Sequence, residues 1–247
     1  MRLLLLGGTT EATRLATAFA AQGVDAVFSY AGRTANPVPQ PLPTRIGGFG
    51  GVAGLCDYVQ ANRITHIVDA THPFAAGMSR NAIDASLACG VQLLAFERAP
   101  WHPKKGDNWT HVSDIATAVA ALPDTATNVF LAIGKQNLGP FAAKPQHHYL
   151  LRLVDPPAAL PLPQASVIIA RGPFDVDSDT GLLRDHHITH IVAKNAGGSG
   201  AEAKILAARA LGIAVIMVDR PTLPPRHVLA SVPQVLAWLG HSAERGV

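Results

Sequence analysis

The sequence predicts a doubly wound α/β architecture, on three observations. Short apolar runs alternate with segments of helical period from end to end. Glycine-rich turns close several of the apolar runs. The alternation is interrupted once, near residues 120–127 (Ala-Ala-Leu-Pro-Asp-Thr-Ala-Thr), dividing the 247-residue chain into similar halves. Strands are expected at 2–6, 24–30, 65–69, 91–95, 128–133, 148–154, 166–170, 189–193 and 213–218. Helices are expected at 10–22, 51–62, 74–89, 113–121, 136–143, 176–186, 199–211 and 232–239. Nine strands divide more economically into two sheets than one. The expectation is therefore two Rossmann-like domains, 1–122 and 123–247, each a mainly parallel sheet flanked by helices, with the C-terminal helix free to pack back on the first domain.

The first apolar run carries the sharpest signal. Leu3-Leu-Leu-Leu6 lacks the alternation of a half-exposed strand, so it reads as a strand buried on both faces. It stops at Gly7-Gly8, and Ala12, Leu15, Ala16 and Phe19 then recur at helical spacing. A helix N-terminus presents unpaired amides and a positive dipole end, which suits a phosphate. Gly8, Thr9, Thr10 and Glu11 are the residues placed there. The fingerprint is incomplete, because Gly-Gly-Thr-Thr is neither G-x-G-x-x-G nor a P-loop. A tight turn also needs glycine when no ligand binds.

Composition limits the alternatives. Hydrophobic residues form 48% of the chain and charged residues 15%, which excludes a disordered chain and supplies a large core. A net charge of +3, no basic run and 6% aromatic residues argue against nucleic acid. The leucine run is too short for a membrane span and lacks the regions of a signal peptide. The expectation is a soluble cytoplasmic protein in which Cys56 and Cys89 are buried thiols. The pair His147-His148 and the triplet His186-His187-x-x-His190 lack the spacing of zinc sites, and no G-x-S-x-G elbow occurs.

The remaining candidates stand where open α/β sheets bind ligands, beyond the carboxyl ends of strands. No acid ends the second strand. Ser29, Arg33 and Thr34 are available there instead, and Arg33 is either a partner for the 2′-phosphate of NADP or a solvated loop cation. Gly47, Gly48, Phe49 and Gly50 form a second glycine cluster, readable as a ligand loop or a floppy one. Asp69 ends the third strand, Thr71 and His72 follow it, and Arg98 and Trp101 follow the fourth. In the second half Lys135, Arg171 and Lys194 follow three strands, and Asn195, Gly197 and Gly198 lead into a helix. Cations at three equivalent strand ends point to an anionic ligand.

Together these segments resemble one family. Leu-Gly-Gly-Thr-Thr-Glu-Ala (6–12), Ala-Gly-Arg (31–33), Gly-Gly-Phe-Gly-Gly (47–51), Val-Asp-Ala-Thr-His-Pro-Phe-Ala (68–75), Glu-Arg-x-Pro-Trp (97–101), Ile-Gly-Lys-Gln (133–136), Ala-Arg-Gly-Pro-Phe (170–174) and Ala-Lys-Asn-x-Gly-Gly-x-Gly-Ala-Glu-Ala-Lys (193–204) stand in order. This set resembles the precorrin-6A reductases of cobalamin biosynthesis. The resemblance implies NADPH-dependent reduction of a macrocycle double bond of precorrin-6A to give precorrin-6B, with the active site in the cleft between two Rossmann-like domains. Taken with the strand-end reading, the expected cofactor residues are Gly8, Thr9, Thr10, Glu11, Arg33, Gly47, Gly48, Phe49, Gly50 and Thr71. The polycarboxylate tetrapyrrole is expected on Lys135, Arg171, Lys194, Asn195, Gly197 and Gly198, where the cationic strand ends suit its carboxylates. His72 is the candidate proton donor, with water as its competitor. No metal, nucleic acid or membrane partner is implied, and protein partners would be transient contacts with neighbouring pathway enzymes. A cobalt-precorrin-6A reductase and a non-catalytic NADPH-sensing module are the competing readings; the cationic strand ends oppose the second.

Overall fold

The computed structural model describes residues 1–32 and 36–244, with side chains as far as Gly240. The described residues form two parallel sheets of six strands each. The first contains β1 (Leu3–Leu6), β2 (Ala26–Tyr30), β3 (Thr44–Ile46), β4 (His66–Asp69), β5 (Gln92–Phe96) and β12 (Val228–Leu229), in the order β12-β5-β4-β1-β2-β3. Its helices are α1 (Thr10–Ala21), α2 (Gly51–Ala61), α3 (Ala76–Cys89) and α7 (Val232–Glu244). The second sheet contains β6 (Asn108–Val112), β7 (Asn128–Ala132), β8 (His148–Leu153), β9 (Ala165–Ile169), β10 (His190–Lys194) and β11 (Ala214–Val218), in the order β6-β11-β10-β7-β8-β9. Its helices are α4 (Ile115–Ala120), α5 (Val176–Asp185) and α6 (Ala203–Leu211).

The leucine run explains the layering of the first unit. Leu3 and Leu5 pack against Leu15, Phe19, Val235 and Leu239, from α1 and α7. Leu4 and Leu6 point the other way, against Leu55 and Val59 of α2 and Ala82 and Ala85 of α3. Each buried leucine contributes about 1.5–3 kcal/mol of transfer free energy, so this strand needs helices on both faces.

The division of the chain differs from the sequence expectation. The units are Met1–Ala99 with Thr222–Val247, and Pro100–Pro221. The boundary expected at 122/123 is therefore corrected to 99/100, with a second crossing at 221/222. The cause is β6, which pairs in parallel with β11 from Asn108↔Ala214 to Val112↔Val218. Arg209 of α6 fastens the turn before it, donating from Nε and Nη2 to the two Asp107 carboxylate oxygens at 2.9 Å each. Burial opposes the charge on Asp107, but these bonds hold its carboxyl below the usual range. The C-terminal chain joins the first unit through β12, which lies beside β5, and through α7.

Three strands had no apolar signature: β3, β6 and β12. All lie at sheet edges, where one side is unpaired and burial is incomplete. The helix expected at 136–143 is instead two short 3-10 segments, Lys135–Asn137 and Gly139–Ala143, divided ahead of Pro140. The helix expected from 199 starts at Ala203, because Gly197 and Gly198 adopt φ of 68° and extend the turn. Cys56 and Cys89 are free thiols, half-buried rather than buried. Among the described residues no helix is long and apolar enough to cross a membrane.

The packing of α7 is testable. Leu239 is 3% exposed within the first core. Leu239→Ala should cost about 2–5 kcal/mol, read as a lower urea midpoint. An unchanged midpoint would show that α7 does not contribute to that core.

Candidate active site

In the first sheet the strand order reverses direction between β1 and β4, which are neighbours although β2 and β3 intervene in sequence. Ligands of open α/β sheets bind at such a switch point. Two glycines shape the turn after β1. A Cβ on Gly7 would lie 2.1 Å from the Phe28 ring, and Gly8 has φ of 115° with nothing near its Cβ position. Thr9 then caps α1, accepting from the Ala12 amide at 3.1 Å and donating its hydroxyl to the Ala70 carbonyl at 2.8 Å. That second bond ties the loops after β1 and β4 together. The amides of Gly8, Thr9, Thr10 and Glu11 meet no protein acceptor among the described residues. This is a nest of donors at a positive helix end, of the kind that receives a pyrophosphate.

The neighbouring residues close around this turn. Arg98 Nη1 donates to Glu11 Oε2 at 2.6 Å, with both side chains under 20% exposed. Thr9, Glu11, Thr71, Pro73, Phe96 and Arg98 line one recess. Asp69 is buried, and its Oδ1 accepts from the Thr71 amide at 3.1 Å and the Thr71 hydroxyl at 2.7 Å. The Phe74 amide donates to His72 Nδ1 at 3.2 Å. With Nδ1 accepting, the neutral ring carries its proton on Nε2.

The loop after β3 forms another part of this edge. Gly47 and Gly50 have φ of 126° and 81°, conformations that a side chain would strain. The loop is nonetheless held in place. Arg45 Nη1 donates to Ser29 Oγ and to the Gly47 carbonyl, both at 2.8 Å, and Nη2 donates to the Gly48 carbonyl at 3.2 Å. The Phe49 ring lies 3.9 Å from the Arg45 guanidinium. Arg33 lies outside the described residues.

In the second unit, Lys194 ends β10, Lys135 follows β7 and Arg171 follows β9. All strands are parallel, so the three cations share one sheet edge. Lys194 and Lys135 follow adjacent strands, whereas β8 separates β7 from β9. Lys135 and Arg171 are exposed and Lys194 is half-buried. Asn195 occupies a different kind of position. Its Oδ1 accepts from the Trp101 amide at 2.8 Å and its Nδ2 donates to the Trp101 carbonyl at 2.9 Å. Its side chain thus holds a loop. Trp101 Nε1 donates to the Gly198 carbonyl at 2.8 Å. Arg220, just beyond β11, clamps the same turn, donating to the Asn195 carbonyl at 3.0 Å and the Ala196 carbonyl at 3.1 Å.

Sequence reading assigned no role to Arg45 or Arg220. Both had a local signal: Arg45 closely precedes a glycine cluster, and Arg220 follows the apolar run at 213–218. Their partners were not visible in the sequence. Arg152 was also missed. It lies in mid-strand, forms an ion pair with the buried Asp179 and stacks 3.5 Å above the Phe174 ring.

The comparisons with known proteins agree with this arrangement. The family model described as "Precorrin-6x reductase CbiJ/CobK" matches residues 2–240. The chain belongs to this family. The precorrin-6A reductase of Rhodobacter capsulatus is 64% identical, with 100% of this chain and 99% of that protein covered. A solved structure titled "CobK precorrin-6A reductase" is also 64% identical, with a TM-score of 0.94 and coverage of 98% of this chain and 96% of its own. The cobalt-precorrin-6A reductase of Priestia megaterium is 28% identical, over 95% of this chain and 96% of its own.

The Asn195 network is open to measurement. Asn195→Ala leaves the Trp101 amide and carbonyl without their partner, and each orphaned group costs about 1–3 kcal/mol. A fall in chemical-denaturation stability of about 2–4 kcal/mol is expected. A loss below about 0.5 kcal/mol would show that the network is replaced by water.

Proposed function

We propose that the chain reduces one macrocycle double bond of precorrin-6A to give precorrin-6B, with NADPH as hydride donor. The observation that carries the cofactor half is the nest of unpartnered amides from Gly8 to Glu11 at the β1/β4 switch point. Family membership supports the substrate half. The 64% and 28% identities favour the cobalt-free substrate over the cobalt-containing one. An enzyme of this kind, working on small soluble substrates, belongs in the cytoplasm.

Gly8, Thr9, Thr10 and Glu11 would receive the pyrophosphate, with Gly47, Gly48, Phe49 and Gly50 along the adenosine side and Thr71 toward the nicotinamide. Arg33 is proposed to contact the 2′-phosphate. The bound nicotinamide supplies the hydride. The chain's own contribution is position and charge. Glu11 and Arg98 neutralise each other, so the donor nest keeps its attraction for an anion without an unpaired charge alongside. Asp69 fixes Thr71 by two bonds, which orients its side chain before any ligand arrives. His72 is proposed as the proton donor to the carbon next to the one reduced; it would act as the imidazolium, with Nδ1 released from the Phe74 amide, and be left as the neutral ring after giving up its Nε2 proton.

Lys135, Arg171 and Lys194 would pair with substrate carboxylates, and Gly197 and Gly198 would let the backbone approach them. Asn195 supports this turn through Trp101, so its proposed role is positioning rather than contact.

Oxidation of NADPH by the purified protein, followed at the nicotinamide absorbance band, should require precorrin-6A. No turnover with intact NADPH binding would remove the substrate assignment. His72→Gln should lower kcat about 100-fold or more while leaving NADPH affinity unchanged, because a positioned general acid contributes that much. An unchanged kcat would assign protonation to water. Lys194→Ala should raise KM for the macrocycle about tenfold and spare NADPH affinity, as expected for one charge-assisted contact. Normal macrocycle affinity would overturn its assignment.

A further inference from the structure

We propose that Arg45 sets the cofactor preference, its guanidinium and the Ser29 hydroxyl together receiving the 2′-phosphate of the adenosine ribose. This rests on the NADPH reading above. In a dinucleotide-binding sheet the residue at the carboxyl end of the second strand meets the adenosine ribose. Here that end is Ser29-Tyr30, and strand pairing sets Ser29 directly beside Arg45 of β3. The guanidinium belongs to a neighbouring strand and comes sixteen residues later in the chain.

Three features show a cation prepared for an anion. First, Arg45 is half-buried, yet none of the ion pairs among the described residues includes it. A partly buried guanidinium is ordinarily paired with a carboxylate. Second, its bonds to Ser29, Gly47 and Gly48 use three of its five N–H groups, so two donors remain without a partner among the described residues. Third, its plane is fixed by the Phe49 ring at 3.9 Å and the Tyr58 ring at 5.1 Å, which leaves the fork aimed rather than free to turn. Ser29 is 4% exposed and accepts from Arg45, so its own hydroxyl proton is available to donate. The two loops on this edge also touch. A Cβ on Gly32 would come within 3.5 Å of the Gly47 Cα and of an Ile46 methyl. Gly32, just after β2, and the loop after β3 therefore make one rim.

Arg45 also supports the glycine loop, so loss of binding alone would not separate the two roles. Discrimination does. Adenosine 2′,5′-bisphosphate and 5′-AMP differ by the one phosphate, and NADPH and NADH differ likewise. Calorimetric titration of the full chain with all four ligands should show the wild type preferring the 2′-phosphorylated member of each pair. Arg45→Met should weaken those members about 10- to 100-fold and their partners by less than about threefold. Arg45→Lys, which keeps the charge and loses the fork, should fall between. Should Arg45→Met fail to fold by circular dichroism, Arg45→Lys and Ser29→Ala carry the test through the same ratio. Equal weakening of both members would make Arg45 a structural support and overturn the proposal, as would an unchanged ratio in every variant. A wild type that does not distinguish NADPH from NADH would instead overturn the NADPH reading itself.

Discussion

The first unit depends on a single constraint: β1 is paired on both sides and buried on both faces. Such a strand has no exposed route out. The chain has to turn sharply at its carboxyl end and return along one face as a helix. Gly7 makes the turn sterically permissible against Phe28, and Gly8 supplies the positive φ. The helix that follows opens above the seam between β1 and β4, and the Thr9 hydroxyl closes that seam on the Ala70 carbonyl. The unpartnered amides are thus a product of how a doubly buried strand must end. The fold leaves this row of donors open before any ligand is present.

The loops around this edge, and around the edge of the second sheet, are held by a common physical device. Glycine-rich segments lose more conformational entropy on ordering than other segments do. Left alone they would be poor ligand platforms. Here a side chain from a neighbouring strand or loop pins their carbonyls: Arg45 holds Gly47 and Gly48, and Arg220 holds Asn195 and Ala196. Asn195 and Trp101 lock together by two further bonds. Much of the ordering cost is therefore met during folding, which would leave less to be met if a ligand binds there.

The periodic core and the turn after β1 were legible from residue order, because burial on two faces writes itself as an unbroken apolar run. Strand-end positions such as Thr71, His72, Lys135 and Lys194 were legible for the same reason: they follow such runs. The edge strands were not. β6 reads Asn-Trp-Thr-His-Val, and half of its surface has no need to be apolar. Missing it displaced the expected boundary by more than twenty residues. The opposite error occurred at 136–143, where apolar spacing resembled a helix but Gly139-Pro140 broke it.

By itself the sequence determined what depends on neighbours along the chain. It specified two alternating α/β patterns, a glycine turn into a helix, and strand ends bearing cations, together with a motif order that resembles one reductase family. Tertiary structure alone decided which residues meet across long separations. Arg45 stands beside Ser29, Asn195 is consumed by Trp101, Arg98 neutralises Glu11, and the C-terminal segment completes the first sheet. Strand register and chain crossings set those pairings, and neither leaves a periodic mark on the residues it brings together.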